Sequence, residues 1–181
     1  MTTSTALAAA FDLLQEEVEA KVARVNQEGS AAVRRFQWTG LTAAGRKAHA
    51  SLVPCHSELE RRFADFLDAA PDVLHYCKNE RLGFSVTYLE NGKPRQYYPD
   101  FVVLTSAGGE VTHWVVETKG ELWPNTALKA EAARQWCAKM TGTPFGRWSY
   151  VLVREAQLAH ALDAGIKNWA TLAATLLEHL P

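Results

Sequence analysis

The chain has 181 residues, 48% of them hydrophobic, and a formal net charge of -1 at pH 7. This length suits one packed domain with an appended element, and it excludes two large domains. The near-zero charge argues against a protein that coats nucleic acid by phosphate neutralisation alone, because such binding needs an excess of basic residues. A domain that borrows its affinity for DNA from a larger partner would tolerate this charge.

The cysteine pattern indicates a reducing compartment. Cys55, Cys77 and Cys137 cannot all pair, and none of them forms a CxxC motif. His75 with Cys77, or Cys55 with His56, could begin a zinc site, but no second pair with ligand spacing follows, so zinc is disfavoured. No basic and apolar leader opens the chain, and no apolar run is long enough to span a bilayer, so we expect a cytoplasmic protein without membrane contact.

Residues 1–54 are predicted to form an N-terminal helical extension. Apolar residues at three- and four-residue steps predict a helix over Thr5–Glu28, and shorter helices are expected over Ala31–Trp38 and Thr42–Leu52. The first helix has a narrow, heptad-like stripe, which leaves three partners open: its own domain, a second copy in a homodimer, or another part of a longer protein. Packing within the domain is the commonest of these.

Residues 55–181 are predicted to form the main domain, which begins with a helix over His56–Ala69. The apolar side chains of this helix recur on one face, and Glu60 lies on or beside that face. An inward-facing acid at this place could serve a metal site, directly or through a bound water. Alternatively, Ser57 and Glu60 form a capping box, in which the Glu bonds back to the backbone and does no chemistry. Spacing does not decide between the two.

A three-stranded antiparallel meander is predicted next. Its turns are marked by Asn91-Gly92 and by Gly108-Gly109, and Pro99 is expected to interrupt the pairing. Its strands are Leu82–Leu89, Gln96–Leu104 and Val111–Lys119.

The last third of the chain is predicted to alternate helix, strand and two helices. These elements are Ala127–Met140, Arg147–Arg154, Ala156–Ala164 and Asn168–Leu180. With the meander they indicate an α/β fold, in which a mixed central sheet is flanked by helices. Lys129 lies near the rim of the buried face of the first of these helices, where it could reach a phosphate; a solvated lysine is the commoner alternative.

Two acids and a lysine of the second hairpin are predicted to share one face. With the turn at Gly108-Gly109, Asp100 lies opposite Glu117, and Lys119 follows two residues later. Facing acids repel each other unless a positive charge lies between them, and magnesium binds through one or two carboxylates. The pattern is the PD-(D/E)xK motif, here Pro99-Asp100 and Glu117-Thr118-Lys119. Taken singly, each of these residues is more often a solvated strand position.

Several further strings accompany this motif between His56 and Arg154. They are Ser57-x-x-Glu60-x-x-Phe63-Ala64, Lys78-Asn79, Phe84-x-Val86-x-Tyr88, Tyr98-Pro99-Asp100-Phe101, Val116-Glu117-Thr118-Lys119-Gly120 and Lys129-x-x-x-Ala133-x-x-Trp136-Cys137. Together they resemble the C-terminal endonuclease domain of type III restriction enzymes, which is the cleaving part of their restriction subunit. The Val-Glu-Thr-Lys-Gly and Tyr-Pro-Asp-Phe strings are the most specific.

The resemblance implies a restriction-endonuclease-like PD-(D/E)xK core that cleaves double-stranded DNA with magnesium, for which manganese is expected to substitute. It implies that Asp100, Glu117 and the main-chain carbonyl of Thr118 are metal ligands and that Lys119 is the catalytic lysine. It favours Glu60 as the helix acid beside the metal. Lys129 and, more weakly, Lys78 are candidate DNA contacts.

The resemblance also implies a motor ATPase and a methyltransferase subunit as partners in a phage-defence system. The chain contains no GxxxxGK[ST] phosphate loop and no methyltransferase motif, so site recognition and ATP dependence are not carried over. The alternative to an enzyme is a nuclease-like fold that serves as a DNA-binding or assembly module without turnover.

Overall fold

The computed structural model describes residues 36–121 and 123–178. Within these ranges the chain forms eight strands and four helices. In chain order they are β1 Leu41–Ala44, β2 Leu52–Cys55, α1 Glu58–Ala69, β3 Val73–Lys78, β4 Val86–Glu90, β5 Lys93–Tyr97, β6 Phe101–Ala107, β7 Glu110–Lys119, α2 Thr126–Thr141, β8 Arg147–Arg154, α3 Glu155–Asp163 and α4 Trp169–Glu178.

The central sheet has four strands in the order β3-β6-β7-β8. The first three are antiparallel to their neighbours, and β8 pairs in parallel with β7. A parallel neighbour requires a crossover connection, and α2 supplies it between β7 and β8. The fold is therefore a mixed α/β arrangement flanked by helices, as the sequence predicts at this level.

The hairpin of β6 and β7 has the predicted register. Phe101 pairs with Val116 and Ala107 with Glu110, and the turn glycines Gly108 and Gly109 have φ angles of 59° and 85°. Residues other than glycine rarely adopt such φ angles, so this glycine pair fixes both the turn and the register of the strands.

The predicted strand over Gln96–Leu104 is divided in two. Its first part belongs to β5, which pairs with β4 in a separate two-stranded sheet, and the chain leaves strand geometry between Tyr97 and Phe101. The interruption falls at Pro99, as predicted, because proline has no N–H to donate to a ladder. The Asn91-Gly92 turn also forms, with φ angles of 52° and 70°.

One strand of the predicted meander is wrong. The neighbour of β6 in the sheet is β3, whereas the predicted neighbour Leu82–Leu89 contributes only the separate strand β4. β3 was missed because its polar residues, including the buried Lys78, obscure the alternation expected of a strand.

The helix predicted over Thr42–Leu52 is also wrong. This segment forms the antiparallel hairpin of β1 and β2, and a Cβ on Gly45 would lie 2.1 Å from the carbonyl oxygen of Ala50. The hairpin is fixed to α1 by Asp68, whose carboxylate accepts the backbone N–H groups of Arg46 and Lys47 at 2.9 and 3.1 Å. These contacts outweigh the helix propensity of the local residues.

The β1-β2 hairpin belongs to the same compact unit as the central sheet, whereas the sequence prediction had included it in the N-terminal extension 1–54. The predicted helix Thr5–Glu28 lies outside the described residues, as does most of Ala31–Trp38. Phe36 to Trp38, the last residues of that second prediction, are not helical.

Two hydrophobic clusters cover the faces of the central sheet. The larger joins the sheet to α1, α3 and α4, and its fully buried aromatic residues include Phe63, Phe101 and Trp169. The smaller joins α2 and the β4-β5 hairpin to Val115 and Tyr150 on the other face. Alternation along β7 sends Val116 to the first cluster and Val115 to the second, so both faces of this strand are buried.

The remaining helices agree with the sequence within a few residues at each end. α1 begins at the predicted cap, where the Ser57 hydroxyl accepts the Glu60 N–H at 3.2 Å. No helix within residues 36–121 and 123–178 is long and apolar enough to cross a membrane.

Candidate active site

The predicted site residues lie at one end of the central sheet. Lys78 ends β3, Asp100 directly precedes β6, and Glu117 and Lys119 end β7. Because β3 and β7 both run antiparallel to β6, the ends of β3 and β7 meet the beginning of β6. Glu60, in the first turn of α1, reaches the same place from the helix layer.

Glu117 is buried, with 4% of its surface exposed. One carboxylate oxygen accepts the Tyr97 hydroxyl at 2.9 Å, and the other lies 2.5 Å from Lys119 Nζ. Burial and the nearby charge of Asp100 raise the pKa of Glu117 to about 7, against the opposing effects of Lys119 and Tyr97. Near neutral pH this carboxyl is therefore poised between its two protonation states.

Tyr97 was not singled out by the sequence, yet it is part of the site. Burial, followed by the negative charge of Glu117, raises the pKa of its hydroxyl, so the group stays protonated and donates to Glu117. Its position at the end of β5, just before the Pro99 interruption, brings the separate β4-β5 hairpin against the sheet. Nothing in the local pattern distinguishes it from an ordinary aromatic strand residue.

Asp100 does not form the predicted ladder pair with Glu117. The register of β6 and β7 ends at Phe101 and Val116, one residue before Asp100. The Asp100 carboxylate instead accepts the Thr118 N–H at 2.7 Å and the Thr118 hydroxyl at 2.8 Å. Its charge still raises the pKa of Glu117, so the two acids influence each other without standing directly opposite.

Lys78 lies between two of the acids. Its ammonium nitrogen is 3.1 Å from Glu60 Oε2 and 3.4 Å from Asp100 Oδ1, and only 3% of the residue is exposed. The nitrogen also lies 5.0 Å from the centre of the Phe101 ring. Such burial is unfavourable for a lysine unless acids compensate it, as they do here. The charge of Lys78, which was weakly predicted to contact DNA, is therefore enclosed by the two acids.

Glu60 makes a backbone contact, as one of the two alternatives predicted, and it also lies beside the acid cluster. It is buried, it accepts the His56 N–H at 2.9 Å, and it pairs with Lys78. The bond to the backbone resembles that of a capping box, although the acceptor reaches the residue before the cap. The contact with Lys78 links the start of α1 to Asp100.

Lys119 differs from Lys78 in being accessible. About a quarter of its side chain, 26%, is exposed. Burial opposes its positive charge, but the negative charges of Glu117, Asp100 and Glu60 raise its pKa overall. It therefore remains protonated at neutral pH and faces both the acids and the solvent.

Lys129, the other candidate DNA contact, lies on α2 beside this cluster. Its ammonium nitrogen is 5.9 Å from the centres of the Tyr88 and Tyr97 rings. It lines an open pocket together with Lys119. The structure therefore brings both lysines to one surface, adjacent to Glu117.

The oxygen atoms present suit a hard divalent cation. Asp100 and Glu117 repel each other, and magnesium prefers carboxylate and carbonyl oxygens to nitrogen or sulfur. In the described ranges, no three His, Cys, Asp or Glu side chains are grouped as a ready cage. Magnesium is commonly held by only one or two carboxylates and keeps several waters, which is compatible with Asp100 and Glu117.

Comparison with known proteins gives no independent guide. No family model, curated protein or solved structure matches the chain. The features that bear on function are therefore the side chains of one cluster: Glu60, Lys78, Asp100, Glu117 and Lys119.

Proposed function

We propose that this chain is a magnesium-dependent DNA endonuclease that hydrolyses phosphodiester bonds. The observation that carries the proposal is the meeting of Asp100, Glu117 and Lys119 at one end of the sheet, where Asp100 accepts the Thr118 N–H at 2.7 Å and Lys119 Nζ lies 2.5 Å from Glu117. Burying such a group is costly, and a structural role alone does not require acids that repel each other.

The fold and the sequence resemblance support the same assignment. A mixed four-stranded sheet flanked by helices is compatible with the α/β core that the resemblance implies. Asp100 directly precedes β6, and Glu117 and Lys119 end β7, which is compatible with the proposed motif. The strings around Tyr98-Pro99-Asp100 and Glu117-Thr118-Lys119 add the resemblance to the cleaving domain of type III restriction enzymes.

In the proposed mechanism, Asp100, Glu117 and the main-chain carbonyl of Thr118 would hold the metal. When bound, magnesium would supply a Lewis acid for the scissile phosphate and a more acidic water. Lys119 would then orient the attacking water or stabilise the negative charge that develops on the phosphate. Manganese should replace magnesium, because it accepts the same oxygen ligands.

Glu60 would act through Lys78 in this mechanism. Its carboxylate pairs with Lys78, which in turn contacts Asp100. We therefore propose Glu60 and Lys78 as positioning residues that hold Asp100 in place before the metal arrives. A direct or water-bridged contact between Glu60 and the metal would require Glu60 to leave this ion pair.

Plasmid nicking tests the proposal. Wild type should cleave with magnesium and not with EDTA, whereas Asp100→Ala and Glu117→Ala should lose cleavage. Glu110→Ala is a matched control, since Glu110 lies on the same strand but is exposed and pairs with Arg147. Equal cleavage by wild type and both active-site variants would refute the proposal.

A catalytically silent DNA-binding or assembly module is the second candidate. It is favoured by the hydrogen bonds and ion pairs that already occupy the carboxylates of Asp100 and Glu117. Calorimetry discriminates between the two, because the silent module should bind neither magnesium nor manganese through Asp100 and Glu117. In either case, a motor ATPase and a methyltransferase remain the proposed partners of the chain.

A further inference from the structure

A pocket of about 660 Å³ opens beside Lys119. Its walls come from the tip of the β4-β5 hairpin, the end of β7 and the beginning of α2. We call it the indole pocket, and the side chains that matter to its chemistry are Glu90, Lys119, Trp123, Asn125, Leu128 and Lys129. Its volume falls within the range of small-ligand sites and exceeds the space that a single base needs.

An exposed tryptophan dominates the apolar part of this pocket. Trp123 is 65% exposed, and the neighbouring Leu128 is 46% exposed. A large aromatic surface left in water is unfavourable for a folded chain, and clustered exposed apolar groups commonly mark a binding site. The flat face of an indole is suited to stacking against another planar ring.

The charged part of the pocket suits a phosphate. Lys119 reaches it from the acid cluster, and Lys129 has no carboxylate within ion-pair distance among the described residues. Glu90, the acid in the lining, is already engaged by Asn125 Nδ2 at 3.1 Å and by Arg95 at 3.7 Å. Two ammonium groups and an indole therefore share one cavity.

We propose that the indole pocket binds an unpaired nucleotide adjacent to the scissile phosphate, so that the substrate is DNA with an unpaired segment, as negative supercoiling favours in a plasmid. The base would stack on Trp123, and its phosphate would lie between Lys119 and Lys129. A paired base in a duplex keeps both faces stacked on its neighbours and cannot offer one to Trp123. The position of the scissile phosphate rests on the proposed function, whereas the binding of the base does not.

Fluorescence anisotropy in EDTA separates binding from cleavage. The full chain is titrated with labelled oligodeoxythymidine and with a blunt duplex of equal length. Wild type should prefer the single strand, and Trp123→Ala should weaken single-strand binding roughly tenfold, as expected for the loss of one stacked base. Trp123→Phe keeps a stacking face and should restore most of the affinity.

Lysine substitution gives an independent readout. Lys129→Gln should lower the salt dependence of single-strand binding by about 0.7 in the slope of log K against log salt, the value for one phosphate contact. Lys139→Gln, on the exposed part of the same helix, should leave the slope unchanged. Phe145→Ala, which removes an exposed aromatic outside the pocket, is the matched control for Trp123→Ala.

Two outcomes would overturn the inference. One is unchanged single-strand affinity in Trp123→Ala, and the other is an equal loss for single strand and duplex. Thermal unfolding of each variant checks that the fold is intact. If Trp123-dependent binding persists but magnesium gives no cleavage, the proposed hydrolysis fails and the nucleotide pocket stands.

Discussion

The two lysines of the acid cluster make similar contacts in different surroundings. Lys78 pairs with Glu60 and Asp100 and is almost completely buried, whereas Lys119 pairs with Glu117 and keeps 26% of its side chain exposed. A buried ammonium can hold its neighbours in place but cannot meet a substrate. An accessible one can do both, so we expect the first lysine to contribute to stability and the second to the proposed chemistry.

Removing the buried lysine should have the largest effect on stability. Lys78→Met leaves Glu60 and Asp100, whose side chains are 9% and 18% exposed, without their cation, which should cost about 3–5 kcal/mol of unfolding free energy. Urea denaturation at pH 7 measures this loss. If the free energy of unfolding changed by less than about 1 kcal/mol, the charges of Glu60 and Asp100 would be balanced by other groups, and Lys78 would not position them.

Removing the accessible lysine should instead affect activity. Lys119→Met should reduce kcat for DNA cleavage by about 10²–10³, the range expected for one group that stabilises transition-state charge. It should lower the unfolding midpoint less than Lys78→Met does, because burial already raises the pKa of Glu117 to about 7 and this carboxyl can take up a proton. Single-turnover nicking and urea denaturation of the same preparation measure both quantities. If Lys119→Met keeps full kcat, the assignment of chemistry to this lysine is wrong.

Glu117 should make the free energy of unfolding depend on pH. Because its folded pKa, about 7, exceeds its usual value of 4.5, the folded state binds the proton more tightly than the unfolded state. The stabilising contribution is therefore full below about pH 4.5 and is lost as pH rises through 7. Over that window, wild type should lose up to about 3 kcal/mol relative to Glu117→Gln.

Thermal unfolding of wild type and Glu117→Gln between pH 4 and 9 checks this expectation. The difference should widen with pH and become constant above the folded pKa. Added magnesium should narrow it at high pH by stabilising wild type selectively, because the proposed metal binds the ionised carboxylate. A difference that is independent of pH would mean that Glu117 is not poised near neutrality.

A surface ion pair provides the smallest expected effect and calibrates the others. Arg61 on α1 contacts Glu58 and Asp65 one turn away in each direction; its side chain is 35% exposed, and those of the two acids are 55% and 48% exposed. Arg61→Ala should shift the urea midpoint little compared with Lys78→Met, because exposed pairs are screened by solvent. If Arg61→Ala shifted the urea midpoint as much as Lys78→Met, burial would not explain why the two ion pairs contribute differently to stability.

The local parts of this site were predictable from the sequence. The glycine turn and the alternation of β6 and β7 gave the correct register, and the cap at Ser57 marked the start of α1. These features depend on residues close together in the chain, where backbone preferences and side-chain periodicity act directly. The predicted ladder pair of Asp100 with Glu117 does not form, because Pro99 interrupts strand geometry just before Asp100.

Contacts between distant residues were not predictable in the same way. Lys78 and Asp100 are 22 residues apart, and Tyr97 reaches Glu117 across 20 residues from a different sheet. The helix predicted for Thr42–Leu52 failed for the same reason, since the backbone bonds to Asp68 span more than 20 residues. Local propensity does not report such pairs, and tertiary contacts override it.

Because of the interruption at Pro99, the β4-β5 hairpin forms its own two-stranded sheet and is not hydrogen-bonded into the central sheet. Its base delivers Tyr97 to Glu117, while its tip at Asn91 forms part of the wall beside Trp123. Residues added at the Asn91-Gly92 turn would reshape that wall without shifting the register of the central sheet. Changes at this turn should therefore alter the proposed nucleotide binding without altering the proposed hydrolysis.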